Sequence, residues 1–139
     1  MLLERTWRWF GKKDSVCLSF LKQMGVEGVV TSLYHLKPGV TWSIDDIKVV
    51  KNEIEREGLR WSVVESLPVS EDIKLGNEKS AAHIENYKQS IVNLAECGVT
   101  TICYNFMPVL DWVRTDLAYM DSDGTETMLY DHATFAVFD

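Results

Sequence analysis

The chain is 139 residues long and carries 14 Lys and Arg against 21 Asp and Glu, a net charge of −7 at pH 7. That length is ample for one domain with a buried core, and the acidity argues against nucleic acid, whose phosphates need a basic patch. No stretch approaches the ~18 uninterrupted apolar residues of a membrane span, and Met1-Leu2-Leu3-Glu4-Arg5 lacks the basic start and long apolar region of a signal peptide, so a cytoplasmic location is expected.

Thr6-Trp7-Arg8-Trp9-Phe10 reads as a first strand, and Gly11 to Asp14 as a turn. Cys17, Phe20, Leu21 and Met24 then recur at helical spacing up to Gly25. A second strand through Val29-Val30-Thr31-Ser32-Leu33 opens into Tyr34-His35-Leu36-Lys37-Pro38-Gly39, where Pro-Gly forces a turn. Ser43, with Asp46 three residues on, resembles a capping box, and Ile47, Val50 and Ile54 supply the apolar face of the helix it starts. A third strand runs from Trp61 to Glu65. The polar stretch from Ser70 to Ser80 reads as a long loop, before a third helix with Ile84, Tyr87, Ile91, Leu94 and Ala95 on one face. His83 within that helix is expected to be exposed. Val99 to Cys103 forms a fourth strand. Beyond Pro108, Leu117-Ala118-Tyr119-Met120 and Thr127-Met128-Leu129-Tyr130 flank Asp121-Ser122-Asp123-Gly124 as a β-hairpin, and the last residues begin a fourth helix.

Three of these helices stop on glycine and hand over to a strand, at Gly25, Gly58 and Gly98. Helix, glycine, strand is the grammar of a parallel β/α fold. Four such strands with three connecting helices and a hairpin inserted after strand four make the N-terminal half of a (β/α)8 TIM barrel, which needs about 250 residues when complete. Residues 1–139 are therefore expected to be a single incomplete barrel domain and a fragment of a longer enzyme. Cys17, Cys97 and Cys103 are odd in number and are expected to be reduced core thiols rather than a disulfide framework.

The strand C-termini form the working edge of such a fold, and they collect the candidates for ligand binding. Glu65 closes an apolar Val63-Val64 run and suits a general acid or base, a hydroxyl acceptor or a supporting partner. His35, after strand two, can bind substrate oxygen or shuttle a proton. Tyr104 and Asn105 end strand four, where Asn105 suits a polyol and Trp112 can cover a sugar ring. Arg8 and Trp9 end strand one as a carboxylate clamp and a wall; alternation puts one of the two inside, and the sequence does not say which. Cys17, Cys97, Cys103, His35, His83 and His132 show no metal-ligand clustering, and no dinucleotide, P-loop or Gly-x-Ser-x-Gly motif is present.

The strings Thr6-Trp7-Arg8-Trp9-Phe10-Gly11, Gly28-Val29-Val30-Thr31, Val40-Thr41-Trp42-Ser43, Trp61-Ser62-Val63-Val64-Glu65-Ser66 and Cys103-Tyr104-Asn105-Phe106-Met107-Pro108-Val109-Leu110-Asp111-Trp112 together resemble the mannonate dehydratase family. The likeness continues through Arg114-Thr115-Asp116-Leu117 and covers the first third to half of a family member. It implies a xylose-isomerase-like TIM barrel and a lyase of hexuronate (glucuronate) breakdown that converts D-mannonate to 2-dehydro-3-deoxy-D-gluconate with Mn2+ or Fe2+. In the family, the metal ligands and the catalytic His and Tyr lie in later strands, with no matching position here, so the chain alone is expected to be inactive. The expected partners are a small sugar acid and, for the full-length enzyme, a further copy in a homo-oligomer. Arg8 or Trp9, His35, Glu65, Tyr104 and Asn105 are the substrate-binding candidates by strand-end position. One departure stands out: Tyr34-His35 occupies a place where relatives commonly carry two histidines. The rival readings are a non-enzymatic α/β domain that binds a sugar acid or a covering partner, and another sugar isomerase or epimerase on the same barrel.

Overall fold

The computed structural model describes residues 3–107 and 112–137. The chain divides into two compact units, residues 1–106 and 107–139. Pro108 and Asp111, which the sequence placed after strand four, lie outside the described residues.

In the first unit the elements are β1 (Thr6–Arg8), α1 (Leu18–Gln23), β2 (Gly28–Thr31), α2 (Ile44–Arg56), β3 (Arg60–Glu65), α3 (Glu71–Leu75), α4 (Ser80–Glu96) and β4 (Ile102–Cys103). The four strands pair in parallel in the order β1-β2-β3-β4, the topology expected when each crossover returns the chain to the same sheet edge. The helix-ending glycines at 25, 58 and 98 have φ of 78°, 71° and 80°, the left-handed turn that a side chain would oppose.

Trp9, Val29, Thr31, Trp61 and Val64 are buried on the helix-facing side of the sheet. There the apolar members meet Leu21, Ile47, Ile54 and Leu94 in one core. A register shift between Val29 and Val30 skips Ser62, so that Val30 sits opposite Val63. The pleat therefore puts Arg8, Val30, Val63 and Glu65 together on the opposite, more open face.

Three expectations change. The apolar stripe of α1 is Leu18 and Leu21, while Cys17, Phe20 and Met24 are exposed. Cys103 is also exposed and Cys97 is half-buried, so the free thiols are not core groups. The Ser70–Ser80 stretch is not a plain loop: it holds α3, whose N-cap is Ser70, with Glu71 and Asp72 in the first turn and Gly76 left-handed at its end. Those are standard helix signals in a stretch too polar to show an apolar stripe.

The apolar stripe expected on α4 is only partly inward: Leu94 is in the core and Tyr87 packs against it. Ile84 and Ile91 are 41% and 40% exposed, and Ala95 is exposed, although Leu94 is buried. The buried positions include Ser90 and Asn93. His83 is not exposed either; its side chain keeps only 21% of its surface. His83, Asn86, Ser90 and Asn93 recur at i, i+3, i+7 and i+10, one helix face, and that face meets the segment between β2 and α2. Asn86 Nδ2 donates to Gly39 O (2.9 Å), Ser90 Oγ accepts from Trp42 N (2.9 Å), and Asn93 Nδ2 donates to Trp42 O (2.7 Å). A connecting segment brings backbone polar groups inward, and side-chain donors and acceptors on α4 satisfy them.

At the amino ends of the strands, Glu4 takes a 2.7 Å ion pair from Arg60 and a 2.7 Å hydrogen bond from the Ser62 hydroxyl. The Arg60 hydrogen bond is the leading cause that holds the Glu4 carboxyl below its ordinary 4.5. A depressed folded value means stability that is present above the ordinary value and lost as pH falls through the folded one. Acid titration of the thermal midpoint should therefore drop more steeply below about pH 4.5 in the wild-type chain than in Glu4→Gln; parallel curves would remove this contribution.

The second unit is a hairpin of β5 (Asp116–Met120) and β6 (Glu126–Leu129), followed by α5 (His132–Ala136). The strands are antiparallel and irregular between Asp116 and Tyr119. At the turn, the Asp123 carboxylate accepts from both Thr125 N and Thr125 Oγ1, and these bonds pull the Asp123 carboxyl below its usual range. Asp131 caps α5 through Thr134 N. This is the hairpin and helix start that the turn residues predict. No helix among the described residues is long and apolar enough to cross a membrane.

Candidate functional site

The open face of the sheet brings two of the sequence candidates together. Arg8, the last residue of β1, places Nη1 3.4 Å from Glu65 Oε1 at the end of β3; the side chains are 48% and 38% exposed. Such a pair contributes little stability, but it aims the guanidinium. Arg8 Cζ also lies 4.8 Å from the Phe10 ring centroid, a cation–π distance. Phe10 in turn sits 6.1 Å from the Tyr34 ring. The cluster is thus a charged pair beside two half-exposed aromatic rings at the carboxyl ends of β1, β2 and β3.

Trp9 is the member of the Arg8/Trp9 pair that alternation sends to the helices, where it is buried. Its carbonyl oxygen accepts a 2.6 Å bond from buried Thr31 Oγ1. Arg8 is thereby left as the member on the Glu65 face. The next residues hold that edge in place: Ser32 Oγ donates to Ser66 O (2.7 Å), and Leu67 N donates to Cys103 O (3.2 Å).

His35 stands apart from the pair. Its Nε2 is 3.8 Å from Asp46 Oδ1 in the first turn of α2. Asp46 meanwhile accepts from the Ser43 hydroxyl (2.6 Å), and Ser43 Oγ accepts from Asp46 N (3.1 Å). This is the expected capping pair, with the carboxylate bound to the Ser43 side chain instead of the backbone. His35 also borders a cavity of about 520 Å3 between the β1 and β2 ends and α2, together with Ser32, Tyr34, Lys12 and Glu53.

Tyr104 lies elsewhere again. With Phe106 it lines an apolar groove of about 480 Å3 formed also by Val69, Ile84, Tyr87 and Ile102. Burial, and next the nearby Tyr104, push the Tyr87 hydroxyl above its usual 10.0. Asn105 is exposed. Trp112, in the second unit, has Arg114 Cζ 5.3 Å from its ring. Among the described residues, no three His, Cys, Asp or Glu side chains are placed to hold a metal ion.

Sequence reasoning left out Phe10 and Tyr34 as partners of Arg8. The signal was there: Phe10 follows Arg8 by two residues, so the two share a face of an extended chain.

Parallel strands in sequence order, joined by helices, define an α/β protein, and charged and aromatic residues gather at the carboxyl ends of those strands. The family model for D-mannonate dehydratase (UxuA) matches residues 3–139, and the chain belongs to that family. It is 51% identical over 137 residues to mannonate dehydratase of Marinomonas sp. (strain MWYL1), which covers 99% of this chain and 35% of that protein. It is 45% identical to mannonate dehydratase of Saccharophagus degradans, over 99% of this chain and 34% of that protein. The crystal structure of mannonate dehydratase from Streptococcus suis serotype 2 superimposes with a TM-score of 0.95 at 41% identity, over the whole of this chain and 40% of that one. The chain thus spans about a third of the length of the curated relatives.

Proposed function

We propose that this chain is the N-terminal half of a (β/α)8 barrel in a cytoplasmic D-mannonate dehydratase, where it supplies one wall of the sugar-acid pocket. The observation that carries the reading is the Arg8–Glu65 pair on the open sheet face, in a chain whose fold superimposes on a mannonate dehydratase. The guanidinium offers a planar fork of donors that matches a carboxylate, and Glu65 offers acceptor oxygens for polyol hydroxyls. Phe10 and Tyr34 add an apolar side wall. Dehydration of a sugar acid removes the proton α to its carboxylate and expels the neighbouring β-hydroxyl, so a clamp on the carboxylate fixes the reacting carbon.

The family's Mn2+ or Fe2+ does not fit the side chains described here, since none of them form a donor set. The contribution of these residues is binding and orientation, and no step is derived through the ion.

The test is a chimera in which this chain replaces the matching third of the Marinomonas protein. It should dehydrate D-mannonate, whereas the 139-residue chain with Mn2+ should give no turnover above blank. A folded, metal-loaded chimera without activity, or turnover by the chain alone, would overturn the reading.

A further inference from the structure

His83 on α4 touches two segments, one following β2 and the other following β3. On one side its Nδ1 is 2.9 Å from Ser70 Oγ and 3.2 Å from Asp72 Oδ2. Ser70 is the buried N-cap of α3, and Asp72 is in its first turn. On the other side the imidazole lies flat against Gly39: a Cβ there would fall 2.7 Å from Cε1 and 2.8 Å from Nδ1. Gly39 has φ of 86° and gives its carbonyl to Asn86, one turn along the same helix. The contact needs glycine twice over, for the left-handed backbone and for the room.

The arrangement holds a serine, a histidine and an aspartate, but it is not a nucleophile relay. Both oxygens approach the same ring nitrogen, and Ser70 Oγ is committed to Ile73 N at 3.4 Å. A relay needs the serine and the carboxylate on opposite nitrogens. What the geometry does instead is mechanical. One ring packs against the segment carrying Tyr34 and His35 and bonds to the segment that follows Glu65.

We propose that His83 is a positioning residue that locks the β2–α2 and β3–α3 segments to each other, so that neither wall of the candidate site moves without its neighbour. The inference rests on the proposed function only in treating those two segments as walls of the pocket. The locking itself is a property of this chain. Packed side chains with a shared contact carry such coupling, because displacing the ring from one partner displaces it from the other.

Amide hydrogen exchange on the 139-residue chain tests the lock. Gly39→Ala pushes the ring away from the far side, so the α3 amides of Ile73 and Lys74 should exchange about tenfold faster relative to Val64, which reports global opening. The reverse perturbation, Ser70→Ala, should speed exchange at Val40 and Trp42. In the double variant Gly39→Ala/His83→Ala, the α3 amides should exchange no faster than in His83→Ala alone, because the substituted side chain then has nothing to displace. Should Gly39→Ala fail to fold, the Ser70→Ala arm decides. Effects confined to the substituted segment, or additive effects in the double variant, overturn the lock. In the active chimera, His83→Ala should raise KM for D-mannonate about tenfold with kcat within about threefold, and His83→Gln should recover part of it. A loss of folded enzyme with KM unchanged overturns the positioning role. An inactive parent chimera would sink the proposed function and leave the exchange result intact.

Discussion

Trp42→Ala should cost the folded chain about 3–5 kcal/mol, the usual penalty for emptying a core site of a large aromatic. The indole is 1% exposed. It sits in the core cluster with Ile47 and Ile54 of α2 and Leu94 of α4. Its backbone N–H and C=O are both taken by α4 side chains, so the segment is pinned on either side of the cavity and cannot collapse to refill it. Partial collapse is what spares some sites from the full penalty. Urea unfolding followed by circular dichroism should show a lower midpoint with an unchanged slope. A midpoint within the equivalent of about 1 kcal/mol of wild type would mean that burial of the indole is not what holds this core together.

Arg8→Ala should lower kcat/KM of the chimera by about a hundredfold or more, which corresponds to about 2.7 kcal/mol of lost transition-state stabilisation. The guanidinium lies on the open sheet face beside Glu65, and its loss would take from the substrate carboxylate and from Glu65 a shared counter-charge. Arg8→Lys should recover little, since an ammonium cannot bind two oxygens in one plane or lie flat on the Phe10 ring. Glu65→Gln should cost less than Glu65→Ala, because the amide still accepts a hydroxyl while losing only the charge. Lys51→Ala is the control: Lys51 pairs with Glu55 at 2.8 Å along α2. Unchanged activity in Arg8→Ala would remove Arg8 from the pocket.

The parallel sheet was legible because the signal repeats: each helix-ending glycine is followed by a β-rich run, and the turn chemistry is local. Ser43 and Asp46 were legible for the same reason. The Arg8–Glu65 pair was half legible. Strand-end position suggested both residues, but which of Arg8 and Trp9 faces the site depends on pleat phase, and the register shift at Val29/Val30 changes that phase on the neighbouring strand. Tyr104 was assigned to the same pocket by strand-end logic and instead lines the groove beside α4. A two-residue β4 leaves the chain beyond Cys103 without a ladder to orient it. Hydropathy found α4 and its core residue Leu94, but the polar part of its inward face was illegible, because the partner it meets is a stretch of open backbone and what that stretch needs is donors and acceptors.

The mixed inward face of α4 bears on how this chain can be redesigned. Routine solubility engineering would leave the isoleucines alone as presumed interior and rewrite Ser90 and Asn93 as presumed surface. In this helix a leucine at 90 or 93 evicts the hydrogen bonds that hold Trp42, whereas Ile84 and Ile91, 41% and 40% exposed, line the apolar groove beside Tyr104. Any substitution scheme that ranks positions by side-chain polarity would therefore rewrite the two residues that hold the Trp42 backbone.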